Sequence, residues 1–310
     1  METTFISNDK IKQFIDRIEG DLYVPHKKED YFQWQKYPSD YSFDGYRTIL
    51  PPKFLFYSPQ EVLVNKKVTK RTVMGIKGCD LRAILFLRKV FKEGDSIDPF
   101  FREDNFIISA DCSEAGENCF CTLLGDKPYA EQGFDLNIST LDDGFIFEVG
   151  SERGKTLIEK NKEFFIDTSS EQLSLRKKMR DKVTKEIKGK KIKLDKKNLS
   201  SDAIMDEIKK CVSCSACTNI CPSCFCFLLG EKKKLEKVRF WDSCQLPGYA
   251  RVAGGANPRK ELDKRFVHRL QCKFEYSPVR FGSIGCFGCG RCTSSCYGGI
   301  DFQKTLSKLG

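Results

Sequence analysis

The chain has 310 residues, a formal net charge of +10, 40% hydrophobic and 12% aromatic residues. This balance excludes an intrinsically disordered chain. No apolar run approaches the ~20 residues of a membrane-spanning helix, since Ala83–Leu87 and Phe225–Leu229 are far too short. The length suggests about two domains.

In chain order, Asn8 or Asp9 is placed to cap a first helix whose apolar residues Ile11, Phe14, Ile15 and Ile18 fall at helical spacing, with Gly20 as its stop. Thr3 to Lys10 is polar and lacks the apolar core of a secretory signal, so a cytoplasmic setting is expected. Aromatic-rich extended segments follow, Leu22–Val24 and Tyr31–Trp34. After Pro51-Pro52, Phe54–Tyr57 reads as core strand or loop. Arg71–Lys77 reads as a strand, Gly78 and Cys79 as a turn, Asp80 as the N-cap of a helix over Leu81–Phe91, and Asn105–Ala110 as the next strand. If the two strands pair in parallel, Cys79 and Cys112 share one rim of the sheet, the edge where α/β units usually bind ligands. The helix would aim its positive end at that rim. Cys119-Phe-Cys121 comes next. A hairpin is expected over Leu136–Thr140 and Phe145–Val149, turned by Asp142-Asp143-Gly144, then a closing helix over Ser151–Lys162. Leu175, Met179, Val183 and Ile187 form a narrow stripe in a lysine-dense stretch that reads as a connector with a solvated face. Asp202–Lys210 should be the helix that delivers Cys211.

The decisive pattern is Cys211-Val-Ser-Cys214-Ser-Ala-Cys217-Thr-Asn-Ile-Cys221-Pro222, with a second copy at Cys286-Phe-Gly-Cys289-Gly-Arg-Cys292-Thr-Ser-Ser-Cys296. This is the C-x2-C-x2-C-x3-C run of bacterial two-cluster iron–sulfur proteins, in which the fourth cysteine ligates the other cluster. One [4Fe–4S] cluster is thereby expected on Cys211, Cys214, Cys217 and Cys296, and the other on Cys286, Cys289, Cys292 and Cys221. Structural zinc usually takes two separated C-x2-C pairs, and disulfides need an oxidising compartment; neither suits two interlocking runs of four. Soft thiolate matches cluster iron. Gly288 and Gly290 read either as residues that let the backbone approach the sulfides or as plain turn formers. Tyr297 stands where a second proline is usual.

Cys79, Cys112, Cys119 and Cys121 form a candidate third cluster site, with Asp80 able to replace one thiolate; the competing reading is scattered buried cysteines. Cys224, Cys226, Cys244 and Cys272 read as packing thiols near the clusters. His26 and His268 read as structural or surface residues. Each thiolate-bound cubane carries roughly −2, so two or three offset about half of the positive charge. The rest suits buried anions or an acidic partner, and no nucleic-acid-binding pattern is present. There is no G-x-G-x-x-G, G-x-x-x-x-G-K-[ST] or G-x-S-x-G motif, so neither a flavin or NAD(P) site nor a catalytic constellation is expected in this chain.

Gly75-Ile-Lys77-Gly-Cys79-Asp80-Leu-Arg82-Ala, Cys119-Phe-Cys121, Cys221-Pro-Ser-Cys224-Phe-Cys226-Phe, Trp241-Asp-Ser-Cys244-Gln, Ala253-Gly-Gly-Ala-Asn257-Pro-Arg259 and Phe287-Gly-Cys289-Gly-Arg291-Cys292 together resemble one family of iron–sulfur subunits. It contains the beta subunits of cytoplasmic sulfhydrogenases and the corresponding iron–sulfur subunits of anaerobic sulfite reductases. The likeness runs from about Tyr23 to the C-terminus. The resemblance implies a non-catalytic electron-transfer subunit of an oxidoreductase complex. Its partners would be a flavoprotein that reacts with NAD(P)H and a catalytic subunit such as a nickel–iron hydrogenase or a reductase. The alternative is an enzyme that reduces a small sulfur or disulfide substrate at the N-terminal cysteine rim, using Asp80 and Arg82. The expected fold is α+β: an N-terminal α/β domain over residues 1–165, a basic helical connector over 166–200, and a mainly α-helical two-cluster ferredoxin-like domain over 201–310 with an insertion between its motifs.

Overall fold

A computed structural model describes residues 2–63, 70–194, 198–199 and 202–310. Residues 195–197, 200 and 201, where the connector was expected to meet the ferredoxin domain, lie outside the described residues.

Thr3–Ser7 forms β1, a strand that its polar composition hides, because Phe5 and Ile6 alone carry its buried face. Helix α1 spans Ile11–Asp16, and its N-cap is Lys10 with no side-chain capping bond. The expected cap at Asn8 or Asp9 is therefore corrected: Asn8 instead bonds the Asp142 carbonyl with its side chain. Strands β2 (Asp21–Lys28) and β3 (Tyr31–Lys36) follow. Lys53–Phe56 is a short helix, α2, not a strand. Pro52 precedes it with φ −65°, the angle a proline ring presets for a first helical turn. Then come β4 (Gln60–Val62), β5 (Arg71–Lys77) and helix α3 (Gly78–Val90). A small β6–β7 pair (Lys92–Glu93, Ser96–Ile97) leads to β8 (Phe106–Ala110), β9 (Leu136–Thr140) and β10 (Gly144–Val149).

Helix α4 (Glu152–Lys160) is capped by the Ser151 hydroxyl. Ile166–Asp167 is β11, and α5 (Ser170–Glu186) opens on a capping box made by Ser169 and Gln172. The rest of the chain is mostly short helices: α6 (Met205–Lys209), α7 (Ala216–Asn219), α8 (Leu262–Gln271), α9 (Ser277–Phe281), α10 (Arg291–Ser294) and α11 (Phe302–Ser307). A hairpin interrupts them, β12 (Phe227–Glu231) with β13 (Lys237–Trp241).

The main sheet has the order β11-β1-β10-β9-β8-β5-β2-β3. Its centre is parallel: β2 with β5, β5 with β8, and β8 with β9. This is the strand–helix–strand unit expected from the sequence, flanked by antiparallel strands. Residues of β5 feed both faces: Val73 and Ile76 join the cluster under α3, and Met74 joins the cluster around Phe14 of α1. The two halves of the chain interleave. β4 pairs with β13 in a second sheet, and Phe287 of the second cysteine run packs in the core under α3.

Helix α5 is not merely a solvated connector. Arg180 lies 2.7 Å from the buried Asp111 carboxylate, which also accepts from Asn137 and Ser139. Val183 is fully buried. Removing one member of a buried pair strands the other, so Arg180→Met should lower stability by about 3 kcal/mol. The midpoint of urea unfolding, measured anaerobically, checks this, and a change within a few tenths would contradict it.

Candidate metal centres

The N-terminal rim is built by the turn from β5 into α3. Register shifts between Met74 and Ile76, a bulge that Gly75 makes with φ +94° and that re-aims the residues after it. Lys77 is thereby directed inward, where its ammonium donates to the carbonyls of Phe43 at 2.6 Å and Asp111 at 2.7 Å. A Cβ on Gly78 would stand 2.7 Å from the Tyr129 backbone, so only glycine fits there. Helix α3 begins at Gly78, not Leu81, and its N-cap is Lys77. Cys79 and Asp80 therefore lie in its first turn.

Asp80 does not cap the helix. Its carboxylate is held bidentately by Arg291 at 2.5 and 2.8 Å, and both side chains are buried. The charge pairing outweighs the cap because a guanidinium that far from water must meet an anion. Arg82 is likewise engaged within the protein, by Asp126 at 3.1 Å and by the carbonyls of Tyr129 and Lys127.

Cys79, Cys112, Cys119 and Cys121 line one cavity, together with Arg47, Tyr46 and Cys289. The loop after β8 arrives there through two backbone bonds, Cys112 N to Pro128 O at 3.0 Å and Phe120 N to Gly288 O at 2.8 Å. The four are gathered, not scattered. Burial pushes the Cys112 and Cys121 thiols up to about 12, and the Cys79 and Cys119 thiols are also raised by burial.

The two C-terminal runs adopt the same backbone twice. In the first, Ser213 and Ser215 have φ of 55° and 64°, and α7 follows; in the second, Gly288 and Gly290 have φ of 62° and 71°, and α10 follows. Positive φ after each leading cysteine curls the chain so that several thiols face one point. Cys211, Cys214, Cys217 and Cys296 line one cavity beside Cys292, Val212, Phe266 and Arg269. Cys286 stands within electrostatic reach of Cys292 and Cys221, and burial pushes it up to about 12. Cys292 is pushed up by burial to about 11 and lies in the field of Cys289, Cys221 and Cys217. All sixteen cysteines are free of disulfides. No group of three or more His, Cys, Asp or Glu among the described residues has the arrangement of a single-ion site.

Residues 210–300 match the family model described as a 4Fe-4S dicluster domain. The chain is 30% identical over 337 aligned residues to sulfhydrogenase 2 subunit beta of Pyrococcus furiosus, a match that covers 98% of this chain and 97% of that protein. The chain belongs to the sulfhydrogenase beta-subunit family. It is an iron–sulfur electron-transfer subunit.

The residues around the thiols of this sulfhydrogenase-type subunit fit anionic clusters. Lys273, buried, donates to Cys221 Sγ at 3.3 Å, Ser223 Oγ at 3.2 Å and Gly285 O at 2.8 Å. Arg269, also buried, reaches the Cys217 carbonyl at 3.3 Å and the face of Phe302, and its Nε meets no acceptor among the described residues. Among the described residues neither cation meets a carboxylate. Buried charges without partners cost several kcal/mol each, as order-of-magnitude figures, so a negative group between them is what the arrangement calls for. Arg47 adds a donor to the Cys289 carbonyl at the N-terminal cavity.

Sequence reasoning missed Lys273, Arg269, Arg47 and the Asp80–Arg291 pair, because each meets its partner across a large sequence separation. Two glycines, which turn the chain with positive φ as one of the expected roles had it, have a further purpose that it did not give. A Cβ on Gly288 would stand 2.4 Å from the Cys121 nitrogen, and one on Gly290 2.0 Å from the Asn118 oxygen. These glycines admit the N-terminal cysteine loop onto the second run. The two histidines stay outside this chemistry. His26 Nδ1 lies 3.0 Å from the Asp40 carbonyl, and burial holds His268 down at about 4.

No helix among the described residues is long and apolar enough to cross a membrane.

Proposed function

We propose that this chain relays electrons through three [4Fe–4S] clusters within a multi-subunit cytoplasmic oxidoreductase. The exchange runs between a flavoprotein that reacts with NAD(P)H and a catalytic partner such as a nickel–iron hydrogenase or a reductase. The observation that carries the reading is the contact between cysteine sets. Cys292 of the second run lines the same cavity as Cys217 of the first, and Gly288 of the second run accepts from Phe120 N beside Cys121 at 2.8 Å, which supports one continuous series.

Cys211, Cys214, Cys217 and Cys296 would hold one cluster, Cys286, Cys289, Cys292 and Cys221 the second, and Cys79, Cys112, Cys119 and Cys121 the third. Bound there, the clusters supply reversible one-electron chemistry. The protein's own part is to exclude water, balance charge and fix spacing. Lys273 and Arg269 hold positive charge at the C-terminal sets, and Lys77, Arg47 and Arg291 hold it at the N-terminal set. Asp80 and Arg82, the residues that an enzyme at the rim would use, are engaged in internal ion pairs, which supports the relay reading.

The test is reduction of the purified chain under anaerobic conditions, followed by EPR and by assays with NAD(P)H, hydrogen, sulfite and polysulfide. The relay reading expects the chain to accept electrons from a low-potential donor and to turn over none of these substrates until partner subunits are added. Turnover by the isolated chain, lost in Cys79→Ser, would instead support an enzyme at the rim.

A further inference from the structure

Four cysteines stand outside the three sets, on an insertion that a two-cluster domain does not need. Phe227 pairs with Trp241 at the open end of the β12–β13 hairpin, and Asp242 N donates to Cys226 O at 3.0 Å. The hairpin thus brings Cys226 and Cys244 close together at its open end. Cys244 is buried, and Gln245 Nε2 lies 3.5 Å from its sulfur. Cys272 follows α8. It opens a π-helical turn, Cys272–Tyr276, between α8 and α9, the kind of helix defect that is frequent at functional sites. It lies in the field of Cys226 and Cys221. Cys224 completes the group, and its carbonyl accepts from the Lys53 ammonium at 3.1 Å.

An independent observation points to an anion there. Lys53, at the start of α2, is 2% exposed. Its ammonium lies 3.1 Å from the Cys224 carbonyl, 3.4 Å from the Asn219 carbonyl and 3.7 Å from the centre of the Trp241 ring. Among the described residues it has no carboxylate partner. A buried ammonium held by two carbonyls and a ring lacks a negative partner, and the groups able to provide one are these thiols.

We propose that Cys224, Cys226, Cys244 and Cys272 hold a fourth iron–sulfur cluster, with the Lys53 ammonium as its buried countercharge. Soft thiolates suit iron, and a cluster with four of them is anionic. Through Cys224, three residues after Cys221, this centre adjoins the second C-terminal set. It rests on the reading of the chain as an iron–sulfur subunit, but not on the N-terminal set.

The experiment compares iron and acid-labile sulfide per chain, by anaerobic purification, in the wild type, Cys226→Ser/Cys244→Ser, and Cys112→Ser/Cys121→Ser. The first double variant should lose about two to four irons with matching sulfide, depending on cluster type. That loss should add to the separate loss in the second variant, so failure of either centre is read on its own. If serine at both hairpin positions prevents folding, Cys272→Ser gives the same comparison. Lys53→Met should retain that iron and shift the midpoint of its reduction to lower potential, an effect that loss of packing alone would not produce. Unchanged iron in the hairpin variant, stoichiometric zinc lost with it, or a Cys226–Cys244 disulfide in anaerobic protein would overturn the proposal.

Discussion

Asp80→Ala should destabilise the chain by about 3–5 kcal/mol, the range for removing one member of a buried ion pair. Asp80 and Arg291 are both essentially without solvent contact. The guanidinium would keep its carbonyl acceptors, Thr48 O at 2.8 and 3.0 Å and Ile49 O at 2.8 Å, but lose the one carboxylate it meets among the described residues. The pair also joins the first turn of α3 to the second cysteine run, 211 residues apart in the chain. The loss should therefore reach both ends: iron on the Cys79 set and on the Cys286 set should fall together, with the Cys211 set least affected. Anaerobic urea titration and EPR of the same samples check both halves of this expectation. A replacement that removes both charges, Asp80→Leu with Arg291→Met, should recover much of the stability. Full stability in Asp80→Ala, or cluster loss confined to one set, would show that the pair is not the tie between them.

Gly288→Ala is expected to be comparably damaging for a steric reason. Its φ of +62° is one that L-residues with a Cβ adopt at a cost, and the new methyl would stand 2.4 Å from the Cys121 nitrogen and 2.5 Å from its Cα. Overpacking of this kind costs about 1–3 kcal/mol, and the backbone strain adds roughly 1 kcal/mol. Backbone cannot swing aside as a flexible side chain can, so the Phe120–Cys121 segment must move off the second run and break the 2.8 Å bond from Phe120 N to Gly288 O. The N-terminal cluster should be lost before the two C-terminal ones. Ser213→Ala in the first run provides the control. It occupies the matching position with φ of 55° and already carries a Cβ, so all clusters should survive there. Equal iron in Gly288→Ala and the wild type would contradict the close-approach account.

Local pattern made some of this legible. The β5–α3–β8 unit follows from an apolar run, a Gly-Cys turn and a second apolar run. Its rim correctly gathers Cys79 and Cys112, because both follow the carboxyl ends of parallel neighbours. The family resemblance was legible for the same reason: its motifs are short and contiguous. What could not be read depends on partners far away in sequence. β1 is mostly polar and becomes a strand only because β10 and β11 flank it. Lys53–Phe56 is helical because proline sets its first turn, although Phe-Leu-Phe favours a strand by composition. The hairpin that carries Cys226 towards Cys244 also pairs with β4, across more than 170 residues. Irregular spacing gave Cys224, Cys226, Cys244 and Cys272 no ligand pattern, although the first three stand in motifs that carry the family resemblance. The cations that face the thiols are scattered through a lysine-rich chain, and only burial separates Lys53 and Lys273 from the many exposed lysines.

The central claim is that cysteines from three separate stretches interlock to hold cubanes in one connected series. Iron and acid-labile sulfide, measured side by side on the anaerobic wild type and on Cys112→Ser/Cys121→Ser, test it most directly. The account predicts at least about twelve of each in the wild type and about four fewer in the variant, at four per cubane. About eight in both proteins, or zinc in place of iron, would contradict it.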